Sequence, residues 1–255
     1  MPELPDNAYD QLLVSVFESK WRSGLKEITF TKDDLIDADA RLGLRIKNLA
    51  DVLYTYRSRR AFPAHIAEKG NWIIAAKGSG KYAFVKVTRE ALVEIPSTLK
   101  IFPIPYAVPE IVASNLADDE QGLLTIVRYN RLLDVFTGLA CFHLQSHIRT
   151  HVKGHGQIEI DELYVGVDKD GRGYALPVEG KVAGESLGID KAVGLTLFAS
   201  AKFPNLICRP VAVLRQARDI IACVEFEPAS DIAKVSVLDI RRYQLVREER
   251  KPLKP

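Results

Sequence analysis

The sequence predicts an α/β protein of the α+β kind, a mixed central sheet flanked by helices and preceded by a smaller unit of helices and a hairpin. Three observations lead there. Apolar residues recur at helical spacing through the first sixty positions and at strand spacing beyond about residue 155. A stretch at 95–115 punctuated by Pro96, Pro103, Pro105 and Pro109 separates the two regimes. The 255 residues, 47% hydrophobic and 27% charged, suffice for one large domain or two smaller ones with real cores. The expected division is 1–110 and 111–255.

Residues 8–21 place Tyr9, Leu12, Leu13, Val16, Phe17 and Trp21 on one helical face. A β-like run at 27–31 follows. Thr31 or Asp33 is suited to cap a second helix that reaches about Ala40 and ends near Gly43. A third helix fits 48–59, with Asn48 as cap and Leu49, Val52, Leu53 and Tyr56 inward. Two strands, 72–76 and 82–87, flank the turn Lys77-Gly-Ser-Gly-Lys. That turn is not a phosphate loop, because Ala75 replaces the first glycine and Tyr82 the Ser/Thr after the lysine.

Beyond the Pro-rich connector, a helical pattern runs from the cap Asp118 through His147, with Gly138 as a possible break. A hairpin at 158–182, a helix at 188–203, strand-like runs at 206–214, 220–226 and 233–240, and a charged tail complete the order.

Charge is unevenly distributed. Between Arg41 and Arg89, eleven Lys/Arg stand against Asp51 and Glu68 alone, a net +9, so the remainder carries −7 toward the total of +2. A basic segment on a near-neutral chain fits a polyanion surface. The order helix, strand, helix, helix, hairpin resembles a winged-helix domain. That resemblance implies a third helix in the major groove, carrying Asn48, Thr55, Arg57 and Arg59, and a wing carrying Lys77, Lys81 and Lys86 along the backbone. A solvated face on a small α+β domain is the plainer alternative.

The hairpin carries the chemistry. Asp161, Glu162, Glu179 and Lys181 lie in otherwise apolar strands, where unpaired charge is costly to bury. Alternation puts Glu179 and Lys181 on one side of their strand. One carboxylate from each strand can share a divalent ion, with the Gly180 carbonyl between them as a further ligand and the lysine polarising a bond. A simple pairing of 167 with 174 sets Glu162 opposite Glu179, whereas a bulge would bring Asp161 there. An exposed cross-strand ion pair is the alternative, of little energetic weight.

Asp161, seventeen intervening residues, then Glu179-Gly180-Lys181 resembles the PD-(D/E)xK nuclease superfamily, over roughly residues 118–230. The resemblance implies a restriction-endonuclease-like fold. It makes Asp161, Glu179 and Lys181 catalytic, and Asp161, Glu179 and the Gly180 carbonyl the ligands of Mg²⁺, for which Mn²⁺ can substitute, with Glu162 as a further candidate ligand. The proline of the motif is Ile160 here. An upstream helical acid joins some such sites, and Glu120 and Asp134 are the candidates. Gln145 and Arg149, near the end of the expected long helix, are further DNA contacts.

The implied activity is hydrolysis of phosphodiester bonds in double-stranded DNA by a homodimer, in the manner of a sequence-specific type II restriction enzyme. The alternatives are a structure-specific or repair nuclease, and a winged-helix transcriptional regulator with a non-catalytic second half. His143 and His147, and His151 and His155, are spaced for zinc on a helix, but Leu144 stands where a zinc protease has Glu. Cys141, Cys208 and Cys223 read as buried free thiols. With no signal peptide or membrane span in the sequence, a cytoplasmic location is expected.

Overall fold

The computed structural model describes residues 7–58, 60–78, 80–88, 92–152 and 155–247. The first helix, α1 (Ala8–Lys20), starts at Asn7, whose side chain accepts from the N–H groups of Tyr9 and Asp10. Strand β1 (Glu27–Thr31) runs straight into α2 (Lys32–Leu42) through a reciprocal capping box between Thr31 and Asp34. Gly43, at φ 67°, ends that helix in the left-handed conformation that favours glycine. Then come α3 (Leu49–Ser58), the single turn α4 (Ala64–Ala67) and the hairpin β2 (Trp72–Ala76) with β3 (Lys81–Lys86). The three strands form an antiparallel sheet in the order β1-β3-β2.

Strand alternation gives this small sheet two buried faces. Phe30, Trp72, Ile74 and Phe84 pack on Leu12, Phe17, Leu35, Val52 and Tyr56 of the helices. Phe17 meets Trp72 and Phe84 edge-on at 5.2 and 5.1 Å, a geometry worth about 0.5–1.5 kcal/mol per pair beyond area burial.

The second half comprises β4 (Ile101–Pro105), α5 (Glu110–Ala113), α6 (Glu120–Tyr129), α7 (Leu132–Thr137), β5 (Ala140–Val152), β6 (Gly156–Val167), β7 (Gly173–Lys181), α8 (Asp190–Lys202), β8 (Ile207–Cys208), β9 (Val211–Ala217), β10 (Ile220–Phe226) and β11 (Val237–Val246). Its strands make an eight-stranded mixed sheet in the order β4-β11-β10-β9-β7-β6-β5, with β8 beside β7. The β4–β11, β7–β9 and β7–β8 pairs are parallel and the others antiparallel. Leu123, Leu124 and Val127 of α6 and Leu132 and Leu133 of α7 cover one face, against Tyr164, Leu176, Val178, Val211 and Val213. On the other face, Leu195 and Phe198 of α8 meet Ile158, Ile160 and Leu163. The protein is therefore a mixed α/β structure with a curled mixed sheet flanked by helices.

The two halves share a core. The outer face of the small sheet, Ile73, Ala83 and Val85, is buried with Ala192 and Val193 of α8 and with Ala212 and Leu214 of β9. Each Ile, Val or Leu side chain so buried contributes about 1.5–3 kcal/mol, and the alternating pattern of β2 and β3 makes both of their faces available for it.

Three segments differ from expectation: the strand expected at 233–240 begins only at Val237, after a 3₁₀ turn at Ile232–Lys234, and runs to Val246, and the other two lie earlier in the chain. The helix expected from Asp118 through His147 starts at the cap Asp119, breaks after Tyr129 where Arg131 takes φ 52°, and ends at Gly138, which takes φ 71°, so that residues 140–152 form an edge strand paired with β6. The Pro-rich connector contains β4, which joins the large sheet beside β11. No helix among the described residues is long and apolar enough to cross a membrane.

Candidate active site

The β6–β7 hairpin is paired from Val167 opposite Gly173 to Glu162 opposite Val178, and there the pairing stops. One step further in the same register, Asp161 faces Glu179. Here a side chain replaces the ladder, because the Asp161 carboxylate accepts the Gly180 N–H at 2.8 Å. Strand β7 stays in the sheet through β9, with Glu179, Gly180 and Lys181 opposite Ala212, Val213 and Leu214. The two hairpin strands thus part at Asp161 and leave a gap. Gly180 faces α6, where an added Cβ would lie 3.3 Å from Leu124. Glu179 and Lys181 share the face of Ala212 and Leu214.

Four side chains and one further cation converge there. Lys181 Nζ lies 2.9 Å from Glu179 Oε1 and 2.8 Å from Glu120 Oε1 at the start of α6. It also donates to the Gly180 carbonyl at 2.8 Å. Lys191, from the first turn of α8, reaches Glu179 Oε1 at 2.6 Å. Glu179 is 1% exposed and its Oε2 is buried without a hydrogen-bond partner.

Burial, reinforced by the neighbouring Glu179 carboxylate, pushes the Asp161 carboxyl up to about 6, against the lowering effect of the Gly180 N–H. Burial disfavours the Lys181 ammonium, yet Glu179 and Glu120 outweigh it and hold its pKa above that of an ordinary lysine. Lys191 is raised in the same way, with Glu179 overcoming burial. Both lysines are therefore cations at neutral pH.

No family model, curated protein or solved structure matches this chain. What the site can do rests on its own geometry.

Glu162 takes no part in this cluster. It is fully buried and is held by Arg128 of α6, with the Tyr164 hydroxyl donating to its other oxygen. His143 lies 3.7 Å away. The structure thus sends the two adjacent acids to different partners, Asp161 to Gly180 and Glu179, and Glu162 to Arg128. Asp134 is likewise remote, receiving Arg131 and the Cys141 N–H. Lys191 is the participant that sequence reasoning missed. It lies twelve positions after Glu179, and the apolar pattern of its helix gives it no distinguishing mark.

The donor set suits a hard divalent cation at the level of two carboxylates. Glu179 Oε2 has no hydrogen-bond partner although Lys181 and Lys191 both hold Oε1, and Mg²⁺ commonly takes one or two carboxylates beside waters and substrate phosphates. Among the described residues, no group of three or more His, Cys, Asp or Glu is arranged to hold a metal. The Gly180 carbonyl, one of the expected ligands, is engaged by Lys181. His143, His147 and His151 lie on β5, a strand rather than a helix face.

The residues expected to contact DNA are scattered. Asn48 is exposed and accepts from the Ala50 N–H, while Thr55 is half-buried. Arg57 is bound by Asp190 at the start of α8, at 2.9 and 3.2 Å, so the last turn of α3 faces the second half. Arg59 lies outside the described residues. Lys77 pairs with Glu27 at 2.9 Å, and Lys86 donates to the Lys69 carbonyl at 3.1 Å. Lys81 and Gln145 are exposed without side-chain partners among the described residues. Arg149 pairs with Glu159 across the β5–β6 edge at 2.9 Å.

Proposed function

We propose that this chain is a Mg²⁺-dependent nuclease that hydrolyses phosphodiester bonds in DNA, of the PD-(D/E)xK type, with a restriction-endonuclease-like second half and a winged-helix-like first half. The observation that carries the reading is the meeting of Asp161, Glu179 and Lys181 where β6 leaves β7. Asp161 and Glu179 would hold the ion. The ion, when bound, supplies a water activated for attack and a Lewis acid for the phosphoryl oxygens.

The protein's own groups do the rest. Lys181, held charged by Glu179 and Glu120, stabilises the negative charge that grows on the phosphoryl group. Its raised pKa makes it a fixed cation rather than a base. Lys191 orients Glu179 by holding one carboxylate oxygen and leaving the other free for the ion. The helix, strand, helix, helix, hairpin order, with the single turn α4 before the hairpin, and the +9 segment support a role for the first half in holding the polyanion. A homodimer follows from the same reading where both strands of a duplex are cut.

The test is digestion of unmethylated phage or plasmid DNA with Mg²⁺ or Mn²⁺ by wild type, Glu179→Ala and Lys181→Ala, each checked for folding by thermal melting. Discrete fragments from wild type alone support the sequence-specific form, and nicking or smearing lost in both variants supports a structure-specific or repair nuclease. DNA left intact by folded wild type under every metal and salt condition sinks the catalytic reading.

A further inference from the structure

Helix α8 begins without a local cap. Ile189 precedes it in a helical conformation and offers no side-chain acceptor to the N–H groups of the first turn. The apolar packing of Ala192 and Val193 holds the helix against both sheets, but such packing has no direction. Two ion pairs supply one, from opposite sides. Asp190 Oδ2 accepts Arg57 Nη2 at 2.9 Å and Nε at 3.2 Å, from the last turn of α3. Lys191, the next residue, places Nζ 2.6 Å from Glu179 Oε1.

Asp190 depends on Arg57. Its side chain is 9% exposed, and Arg57 is its one ion-pair partner among the described residues. Its Oδ1 is buried without a hydrogen bond, and a Cβ on Gly188 would lie 2.4 Å from that oxygen. Removing the Arg57 guanidinium leaves a buried carboxylate uncompensated, which is strongly unfavourable. The strain is relieved when the first turn of α8 shifts to bring Asp190 to water, or when Lys191 turns to it. Either movement takes Lys191 off Glu179.

Glu179 responds because its two oxygens are used differently. Lys181 and Lys191 both hold Oε1, while Oε2 has no hydrogen-bond partner and is the oxygen left for the ion. A group that fixes the orientation of a metal ligand without touching the metal changes affinity by about 10–100-fold when it is removed.

We propose that Arg57 is a positioning residue of the candidate site: through Asp190 it sets Lys191, and through Lys191 it sets Glu179 for a divalent ion. A side chain of the first half then governs ion affinity in the second, although it touches neither carboxylate that holds the ion. The inference rests on the nuclease reading for the ion at Asp161 and Glu179. It gives Arg57 a task other than the DNA contact expected of it.

The test is Mg²⁺ binding by isothermal titration calorimetry with no DNA present, each protein checked for folding by its melting temperature. Lys191→Met should weaken binding about tenfold, and Arg57→Gln should weaken it as much. In the Lys191→Met background, Arg57→Gln should add nothing further, because its route to Glu179 is already cut. Arg57→Lys keeps the counter-charge without the two-donor grip, so its affinity should fall between wild type and Arg57→Gln. It also carries the test where Arg57→Gln does not fold, since it too should add nothing to Lys191→Met. A merely structural Arg57 would lower the melting temperature and leave Mg²⁺ affinity alone. Unchanged affinity in the folded Arg57 variants, or a loss that adds to that of Lys191→Met, overturns the inference and leaves the nuclease reading standing. Wild type that binds no Mg²⁺ overturns both. Wild type whose Mg²⁺ affinity depends on Arg57 but which leaves DNA intact removes the nuclease and keeps the role of Arg57.

Discussion

The Asp161 carboxyl releases its proton near pH 6 in the folded protein, against 3.8 for an ordinary aspartate. A raised folded pKa means that the folded state binds the proton more tightly than the unfolded chain does. The contribution of Asp161 to stability is therefore full below about pH 3.8 and is lost as pH rises through about 6. Asp161→Asn keeps an oxygen for the Gly180 N–H and removes the charge. It should resist urea better than wild type at pH 7.5, by of the order of 2 kcal/mol, and match it near pH 3.5. Equal midpoints at both pH values would refute this account of the site.

Millimolar Mg²⁺ should raise the melting temperature of wild type at pH 7.5 and leave that of Asp161→Asn unchanged, because only an ion that binds the folded state stabilises it. A second residue-scale expectation concerns Lys191. Lys191→Ala leaves Glu179, 1% exposed, with Lys181 as its one remaining cation, and should cost about 1–3 kcal/mol by chemical denaturation.

Among the elements, α6 carries the most positional responsibility, since its first turn presents Glu120 to Lys181 and its last turn presents Arg128 to Glu162. Its entry is set by Gly122, where an added Cβ would lie 1.9 Å from the Ala117 carbonyl oxygen. Gly122→Ala must displace backbone, so it should lower stability by about 1–3 kcal/mol and, on the nuclease reading, cut DNA hydrolysis more than a surface alanine does. Unchanged melting and activity would show that α6 is free to shift.

Strand β5 shows why an element can be misread. Its pairing slips between His143 and Gln145, leaving Leu144 as an extra residue, and His147 takes φ 51°. Both features break the two-residue alternation that announces a strand. Being at the sheet edge, β5 leaves Phe142 and Leu144 more than half exposed, and these apolar positions continue the helical pattern set by α6 and α7.

At the scale of the molecule, two adjacent residues of α8 join three parts of the structure. Asp190 binds Arg57 of α3, and Lys191 binds Glu179 of the candidate site. Gly188 lets the chains approach, for a Cβ there would lie 2.5 Å from the Arg57 carbonyl oxygen. Asp190 is largely buried and already has one oxygen without a partner. Arg57→Ala should therefore cost about 3 kcal/mol. A double-mutant cycle with Asp190→Ala should show the double variant less destabilised than the two single losses added together. Additive losses would mean that the pair does not hold the halves together.

Composition and periodicity by themselves determined the helix, strand, helix, helix, hairpin order of the first half apart from the single turn α4, the β6–β7 hairpin and the α8 helix. Each depends on contacts between near neighbours in the chain, and local pattern records those. The hairpin also showed its buried charge, because Glu179 and Lys181 stand among apolar residues two positions apart on one strand face. Tertiary structure alone decided the rest. It chose Asp161 over Glu162 as the neighbour of Glu179, since the face of each acid depends on a register of one residue that the turn at 168–172 sets. It brought in Lys191 and Glu120, turned Arg57 toward Asp190, and placed β4 beside β11. Those partners are separated from one another by tens to more than a hundred positions or lie on elements with no local signature. The burial of an ion is settled by whichever opposite charge the fold delivers to it, and that delivery is a property of packing, not of sequence spacing.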